Sequence, residues 1–502
     1  MALRRAIVVM TDSQRADMLG CYGHPAMKTP CLDRLAAEGL RFERAYCAQP
    51  VCGPARSTLF TGQFPHSTGC WANVMPLGET VRTVGQRLQD RGVHTAYIGK
   101  WHLDGGDYFG QGVCPPGWDP AWWYDMRTYL EELSPADRLR SRRRTTNQEG
   151  IPASFTFGHR CADRAVRFLE RHGGEEFLLV VSFDEPHDPF LCPEPYASLY
   201  RDFEWPKTPD FYDELEDKPS HQQVWAESYG RRPRAQREAE RRSYPDYLGC
   251  NSFVDFEIGR ILDAADRWAP DALVIYTSDH GELLGAHGLW GKGPVAYDPI
   301  TRIPFLVRGR GWIPAGVVHS HPISHADLTP TLLEYFAVSI PTLIEGRPLQ
   351  PVLANPSVRL HEAVFIEFGR YETDHDGFGG FQPMRAVFDG RYKLVLNLLT
   401  SDELYDLQTD PWECVNRIND SALAAVRDRL HDALLDWMNR TRDPFRGYAW
   451  RCRPWRAHAA PPSWEDAGMT RQREEDPRYE RRQLDYVTGL EMDAAVRVKG
   501  KA

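Results

Sequence analysis

The sequence has no apolar run approaching the roughly 20 residues that cross a bilayer as a helix, so no membrane partner is expected. Its start, Leu3-Arg4-Arg5 followed by Ala6-Ile7-Val8-Val9-Met10, has the outline of a short signal peptide. The apolar stretch is too brief for one, no small-residue cleavage site follows, and the run passes straight into Thr11-Asp12. It reads instead as the first core strand of a cytoplasmic protein. Excess positive charge is also missing. A formal net charge of −10, with 17 histidines counted as neutral, excludes a nucleic-acid binder that relies on bulk electrostatics. An anionic ligand therefore needs cations concentrated in one place. Paired cysteines are lacking too. The 11 cysteines, an odd number, are scattered without any Cys-x-x-Cys spacing, which fits reduced thiols better than a disulfide framework or a zinc site. No internal repeat is visible.

What is present is a globular composition, 42% hydrophobic and 26% charged over 502 residues, which excludes wholesale disorder and can build a large core. Four short apolar runs, 6–10, 94–98, 177–181 and 272–276, each end in a polar cluster. Near-continuous apolar runs of this length read as strands buried on both faces. Helical spacing lies between them over 29–39, 80–91, 160–171 and 252–268. Strand–helix alternation predicts an open, mostly parallel sheet covered by helices. Ligands of such sheets bind beyond the carboxyl ends of the strands, so the four polar clusters should converge on one site.

Segments 134–150 and 201–242 are charged and punctuated by proline, and read as surface insertions. Beyond 362 the pattern changes. Residues 385–388, Asp389-Gly390 and 392–396 form a hairpin signature; 403–407 adds another strand and 422–438 a helix. The expected organisation is a catalytic α/β domain over 1–361, a small α+β subdomain over 362–441 and an Arg-, Trp- and Pro-rich tail over 442–502. The tail offers a surface through which a homo-oligomer could form.

The most specific signal is Cys52-Gly53-Pro54-Ala55-Arg56, followed by Ser57-Thr58-Leu59-Phe60-Thr61-Gly62. A cysteine near a proline is ordinarily structural; the context here says otherwise. Cys-x-Pro-x-Arg with a following helix and Thr-Gly resembles the signature of formylglycine-dependent (type I) sulfatases, in the alkaline phosphatase superfamily. Other landmarks match in order: Thr11-Asp12, Lys28-Thr29-Pro30 with Leu32-Asp33-Arg34-Leu35, Gly99-Lys100-Trp101-His102, and Pro186-His187-Asp188-Pro189. They continue through Thr277-Ser278-Asp279-His280-Gly281-Glu282, Gly291-Lys292-Gly293 and Leu404-Tyr405-Asp406-Leu407. The glycine-rich stretch 374–380 and the 442–447 ending are similar to an uncharacterised cytoplasmic bacterial branch of that family.

The resemblance implies an alkaline-phosphatase-like fold: a large mixed, mostly parallel sheet flanked by helices, with a smaller C-terminal antiparallel sheet plus helix. It implies that Cys52 is converted by a maturation enzyme to formylglycine, and that Asp12, Asp279, His280 and residue 52 hold one divalent ion. Oxygen donors suit Ca²⁺, the first assignment, with Mn²⁺ or Mg²⁺ as alternatives. The hydrated aldehyde attacks sulfur through one hydroxyl, and the second expels sulfate from the covalent hemiacetal, a step that a thiol cannot perform. Lys100, Lys292 and Arg56 match the family's cations around the sulfate, with Arg56 also holding residue 52. His102 is placed to assist collapse of the diol, and His187 or Lys292 to protonate the leaving alcohol. Asn73 is a candidate for a sulfate oxygen; Asp374, His375 and Arg385 are candidates for substrate binding.

One departure stands out: where many sulfatases carry a second Asp, this chain has Ser13, then Gln14. The substrate expected is a small-molecule or saccharide sulfate ester, with carbohydrate or aryl sulfates preferred. The enzymatic alternative is a phosphonate monoester or phosphodiester hydrolase using the same nucleophile, from which Lys100 with His102 argues away. The non-enzymatic alternative, a binding protein on an inactive scaffold, predicts lost ligand or nucleophile positions, and none is lost apart from the Ser13 variation.

Overall fold

The computed structural model describes residues 3–105, 108–204, 206–228, 245–372, 380–456 and 489–490. The four apolar runs form strands β1 (Arg5–Thr11), β4 (His94–Gly99), β5 (Phe177–Ser182) and β6 (Leu273–Ser278). Between and after them come β2 (Leu40–Phe42), β8 (Phe305–Arg308) and β9 (Val317–His319), giving one seven-stranded sheet in the order β4-β5-β1-β6-β8-β2-β9. The first four are mutually parallel, and β8 runs antiparallel to β6 and β2. Alternate residues enter two separate cores: Ala6, Val8 and Met10 pack on one face, Ile7 and Val9 on the other. That two-sided burial is why these strands read as unbroken apolar runs rather than as alternating ones.

Register fixes the site. Met10 stands opposite Ser182, Thr11 opposite Ser278, and Gly99 opposite Ser182. The residues just beyond, Asp12, Asp279, Lys100 and the 183–187 segment, are therefore brought to one edge by backbone pairing alone. A minor sheet, β10-β3-β7 (Ile323–Ser324, Ala45–Tyr46, Arg302–Ile303), lies nearby.

The expected small sheet is present as β11 (Val364–Arg370), β12 (Phe381–Phe388), β13 (Tyr392–Asn397) and β14 (Glu403–Asp406), all antiparallel. Gly390 takes φ 102° in the β12–β13 turn, and Asp389 Oδ1 accepts from the N–H groups of Arg391 and Tyr392. Helix Ala424–Arg440 covers the sheet, and the described start of the tail packs on both, with Trp450 buried and its carbonyl bonded to His431.

Three details differ from the sequence reading. The helix expected over 80–91 is trimmed to Val84–Gln89, because Thr83 and Gln86 form a capping box. The helix expected from 252 begins earlier, at Pro245. The 134–150 surface insertion carries structure of its own: Ser134 caps helix Pro135–Arg140, and Asn147 bonds both Phe190 O and Cys192 N.

Two predictions follow from how the strand ends are held. Gly99 has φ 125°, and a Cβ there would lie 1.9 Å from Ser182 O. Gly99→Ala should cost about 2–4 kcal/mol in denaturant unfolding, from strain plus overpacking; a cost near zero would show that β4 and β5 separate freely here. Glu185 accepts from the N–H of Gly158, in the first turn of helix Phe157–His172, while its other oxygen has no partner. Burial first, then the charge of Asp184, push its carboxyl up to about 8. The folded protein thus keeps a proton that the unfolded chain loses near its ordinary value of 4.5, so stability falls as pH rises from there to about 8. Glu185→Gln should remove that slope and gain a few kcal/mol over the parent by about pH 8. Denaturation curves across this range check it, and parallel pH profiles would refute it.

Candidate active site

Cys52 opens helix Cys52–Thr61, all ten residues of which are buried. A helix buried all round must satisfy its polar side chains internally. Ser57, Thr58 and Thr61 return their hydroxyls to helix carbonyls, and Arg56 faces the strand ends. The Arg56 guanidinium donates to Asp279 Oδ2 at 2.9 Å, Asp12 Oδ2 at 3.1 Å, Lys100 O at 2.6 Å and Ser182 Oγ at 2.8 Å. Both carboxylates are thereby held by one oxygen each, both Oδ1 atoms face His280 Nε2, and Asp12 Oδ1 lies 3.8 Å from Cys52 Sγ.

There the four expected ligands meet. One ligand atom from each of Asp12, Cys52, Asp279 and His280 lies within 4.8 Å of all the others. His280 Nδ1 donates to Gly281 O at 2.7 Å, which leaves Nε2 as the acceptor, 3.2 Å from both Cys52 Sγ and Lys292 Nζ, 3.7 Å from Asp279 Oδ1 and 3.8 Å from Asp12 Oδ1. Two carboxylate oxygens, one imidazole nitrogen and residue 52 form a donor set that fits a divalent ion. Cys52 Sγ is the fourth corner of this set.

Ser13 and Gln14 do not add a carboxylate-like ligand. Ser13 Oγ donates to Asp12 Oδ1 at 2.7 Å, and its N–H to Asp279 Oδ1 at 3.2 Å. The Gln14 amide is turned away, bonded to Asn251 and Tyr276.

Cations surround this centre. Lys100 Nζ bridges Asp12 Oδ2 at 2.8 Å and Asp184 Oδ1 at 2.9 Å, while Lys292 Nζ lies 2.7 Å from Cys52 Sγ. Burial resists ionisation of the Asp12 carboxyl, but Lys100, Lys292 and Arg56 outweigh it and hold the group well below the carboxylate range. Asp279 goes the other way, pushed up to about 6 by burial and the charge of Asp12. Burial and Asp12 oppose the Cys52 thiolate, yet Lys292, Lys100 and His280 bring it down to about 7.

His102 is buried and His187 half-buried, and both are neutral imidazoles: desolvation, then the nearby lysines, push each down to about 3. His102 Nδ1 has no hydrogen-bond partner, and His187 Nδ1 donates to Asp188 O at 2.8 Å.

Two groups without an expected role complete the site. Asp184 pairs with Lys100, and Tyr108 donates to Asp184 at 2.6 Å while its ring lies 3.9 Å beneath the Lys100 ammonium. Asp184 belongs to the polar cluster that follows the apolar run 177–181; Tyr108 lies in a loop with no motif to mark it.

The other candidates are placed differently. Asn73 is next to residue 52, but its Oδ1 accepts from Gly53 N–H at 3.0 Å and its amide donates to Glu372, so it caps the Cys52 helix. Arg385 is not at the site. It is buried, clamps Asp443 through two hydrogen bonds and donates to the carbonyls of Phe368 and Met384, tying the tail to the small sheet. Asp374 and His375 lie outside the described residues.

Comparison with known proteins bears on the family and the fold. The Sulfatase family profile matches residues 4–338, and the profile for the C-terminal part of N-sulphoglucosamine sulphohydrolase matches 285–440. The uncharacterized sulfatase YidJ of Escherichia coli (strain K12) is 44% identical over 494 residues, 96% of each chain. A solved protein in complex with its substrate D-glucosamine-2-N,6-O-disulfate superposes with TM-score 0.73 at 22% identity, over 88% of this chain and 99% of that one. The phosphonate monoester hydrolase of Agrobacterium radiobacter gives TM-score 0.70 at 24% identity, over 87% and 96%. These two likenesses show the fold alone. The span of the family match and the identity to YidJ show more: the chain belongs to the sulfatase family, the sulfuric ester hydrolases of the alkaline phosphatase superfamily.

Proposed function

We propose that this enzyme hydrolyses sulfate esters with a formylglycine made from Cys52 and one divalent ion held by Asp12, Asp279, His280 and residue 52. The observation that carries the reading is the division of labour on the two carboxylates, whose Oδ2 atoms are fixed by Arg56 while their Oδ1 atoms converge with His280 on residue 52. A bound ion would supply Lewis-acid chemistry there, easing deprotonation of an oxygen on residue 52. Ca²⁺ is the first assignment because oxygen donors predominate once the sulfur is replaced, with Mn²⁺ or Mg²⁺ as alternatives.

The protein's own groups do the rest. Arg56 sets the helix that carries residue 52, and Asn73 fixes its first turn. Lys100 and Lys292 present fixed ammonium groups where negative charge accumulates on the sulfate. His187 holds its proton on Nδ1 against a backbone carbonyl, whereas the Lys292 ammonium stands beside residue 52; Lys292 is thus the better placed donor to the leaving alcohol. His102, with an unpartnered ring nitrogen in the site, is the base for collapse on residue 52. A carbohydrate sulfate is the preferred substrate class, supported by the glucosamine disulfate bound to the structural relative and by the sulphoglucosamine sulphohydrolase match. A cytoplasmic location fits 11 free cysteines.

Peptide mass spectrometry of protein co-produced with a formylglycine-generating enzyme should find the aldehyde at Cys52, and only that protein should turn over a sulfate ester. Activity from thiol-only protein would sink the mechanism. Asp279→Ala should lose the divalent ion and turnover together, as read by metal analysis beside kinetics. Lys100→Ala and Lys292→Ala should each lower kcat about a hundredfold, the scale of a lost oxyanion donor. Near-parental rates would return both lysines to a structural role. Clear preference for a phosphonate monoester at equal concentration would favour the alternative that the Agrobacterium likeness keeps open.

A further inference from the structure

Two more groups of metal-capable side chains stand apart from Cys52 among the described residues. His66, Glu367 and Asp443 are already neutralised, since His66 pairs with Glu367 and Arg385 clamps Asp443. The other group lies at the opposite end of the central sheet. His94 is the first residue of β4, His172 the last of helix Phe157–His172, and Glu175 stands in the turn that enters β5.

We propose that His94, His172 and Glu175 form a second metal site, for Zn²⁺ or a similar borderline divalent ion, at the amino end of the sheet. Glu175 Oε2 lies 3.1 Å from His172 Nδ1 and 3.6 Å from His94 Nδ1. Ligands about 2.0–2.1 Å from a tetrahedral Zn²⁺ are separated by about 3.3 Å, so the ion enters with small side-chain adjustments. The imidazole planes are 87° apart with centroids at 4.6 Å, so the rings do not stack.

His94 Nε2 lies 2.8 Å from Asp119 Oδ2, the carboxylate–histidine pairing that fixes the tautomer and leaves Nδ1 free for a metal. The C-terminus of a 16-residue helix adds a partial negative charge beside His172. Glu175, with its side chain 55% exposed, gives the ion a path in and leaves the fourth position to water. Two imidazoles and one carboxylate suit Zn²⁺ better than Ca²⁺ or Mg²⁺. The ion would bind the end of this helix to the starts of β4 and β5, a clamp remote from the chemistry.

Equilibrium dialysis of the full chain against zinc in excess Ca²⁺, with metal analysis, tests this. The parent protein should hold one zinc per chain more than His94→Ala/His172→Ala, and zinc should raise its melting temperature further than the variant's. Glu175→Gln, at an exposed position that folding tolerates, should weaken this zinc about a hundredfold, and Asp119→Asn about tenfold by loosening His94. If the double variant does not fold, these two single variants carry the test. Equal zinc content and affinity in the parent and Glu175→Gln overturns the proposal.

Discussion

The arrangement around residue 52 depends on one buried guanidinium. Arg56 touches the ends of four parallel strands at once: Asp12 after β1, Lys100 after β4, Ser182 in β5 and Asp279 after β6. It rises from the same helix that begins with Cys52, so residue 52 and the sheet are set by a single side chain. A buried cation of this kind is costly to desolvate and is tolerated only when fully paired. Here every donor nitrogen has an acceptor, and two of the acceptors are carboxylates whose mutual repulsion the guanidinium offsets. Losing one partner would leave charge stranded in the core, which is why site and fold are coupled here.

The same coupling explains what could be read from the sequence. Strands buried on both faces announce themselves as apolar runs, and parallel pairing then places the residues beyond their ends side by side. Asp12, Lys100, His187 and Asp279 were legible for that reason, and Cys52 through its spacing to Pro54 and Arg56. Partnerships across long separations were not. Arg385 finds Asp443 only because the tail folds back on the small sheet, and nothing local to a charged strand residue foretells that. Asn73 was legible as a neighbour of the site but not as the cap of Gly53. Tyr108 enters by loop geometry alone, since its ring becomes significant only once Lys100 rests on it.

Ser13 alters the electrostatics without dismantling the site. A second aspartate there would add another carboxylate to a centre where Asp12 and Asp279 already oppose each other and Asp279 is pushed up to about 6. A hydroxyl and a backbone N–H instead donate to the two Oδ1 atoms, so they orient these oxygens rather than compete for the ion. On the proposed reading, a bound ion would have fewer anionic donors, and more of its charge would remain for the substrate.

On the proposed chemistry, modification also changes what the catalytic centre prefers to bind. With a thiol at residue 52, brought down to about 7, the set is one sulfur, one imidazole and two carboxylates, and sulfur with nitrogen favours a borderline ion such as Zn²⁺. Replacing sulfur by oxygen leaves a single nitrogen among oxygens and shifts the preference towards Ca²⁺, Mn²⁺ or Mg²⁺. His280 Nδ1 is fixed by Gly281 and the carboxylates by Arg56, so the geometry stays constant while the chemical hardness of one corner changes. The oxidation at residue 52 thus creates the nucleophile and, in the same step, matches the site to its ion.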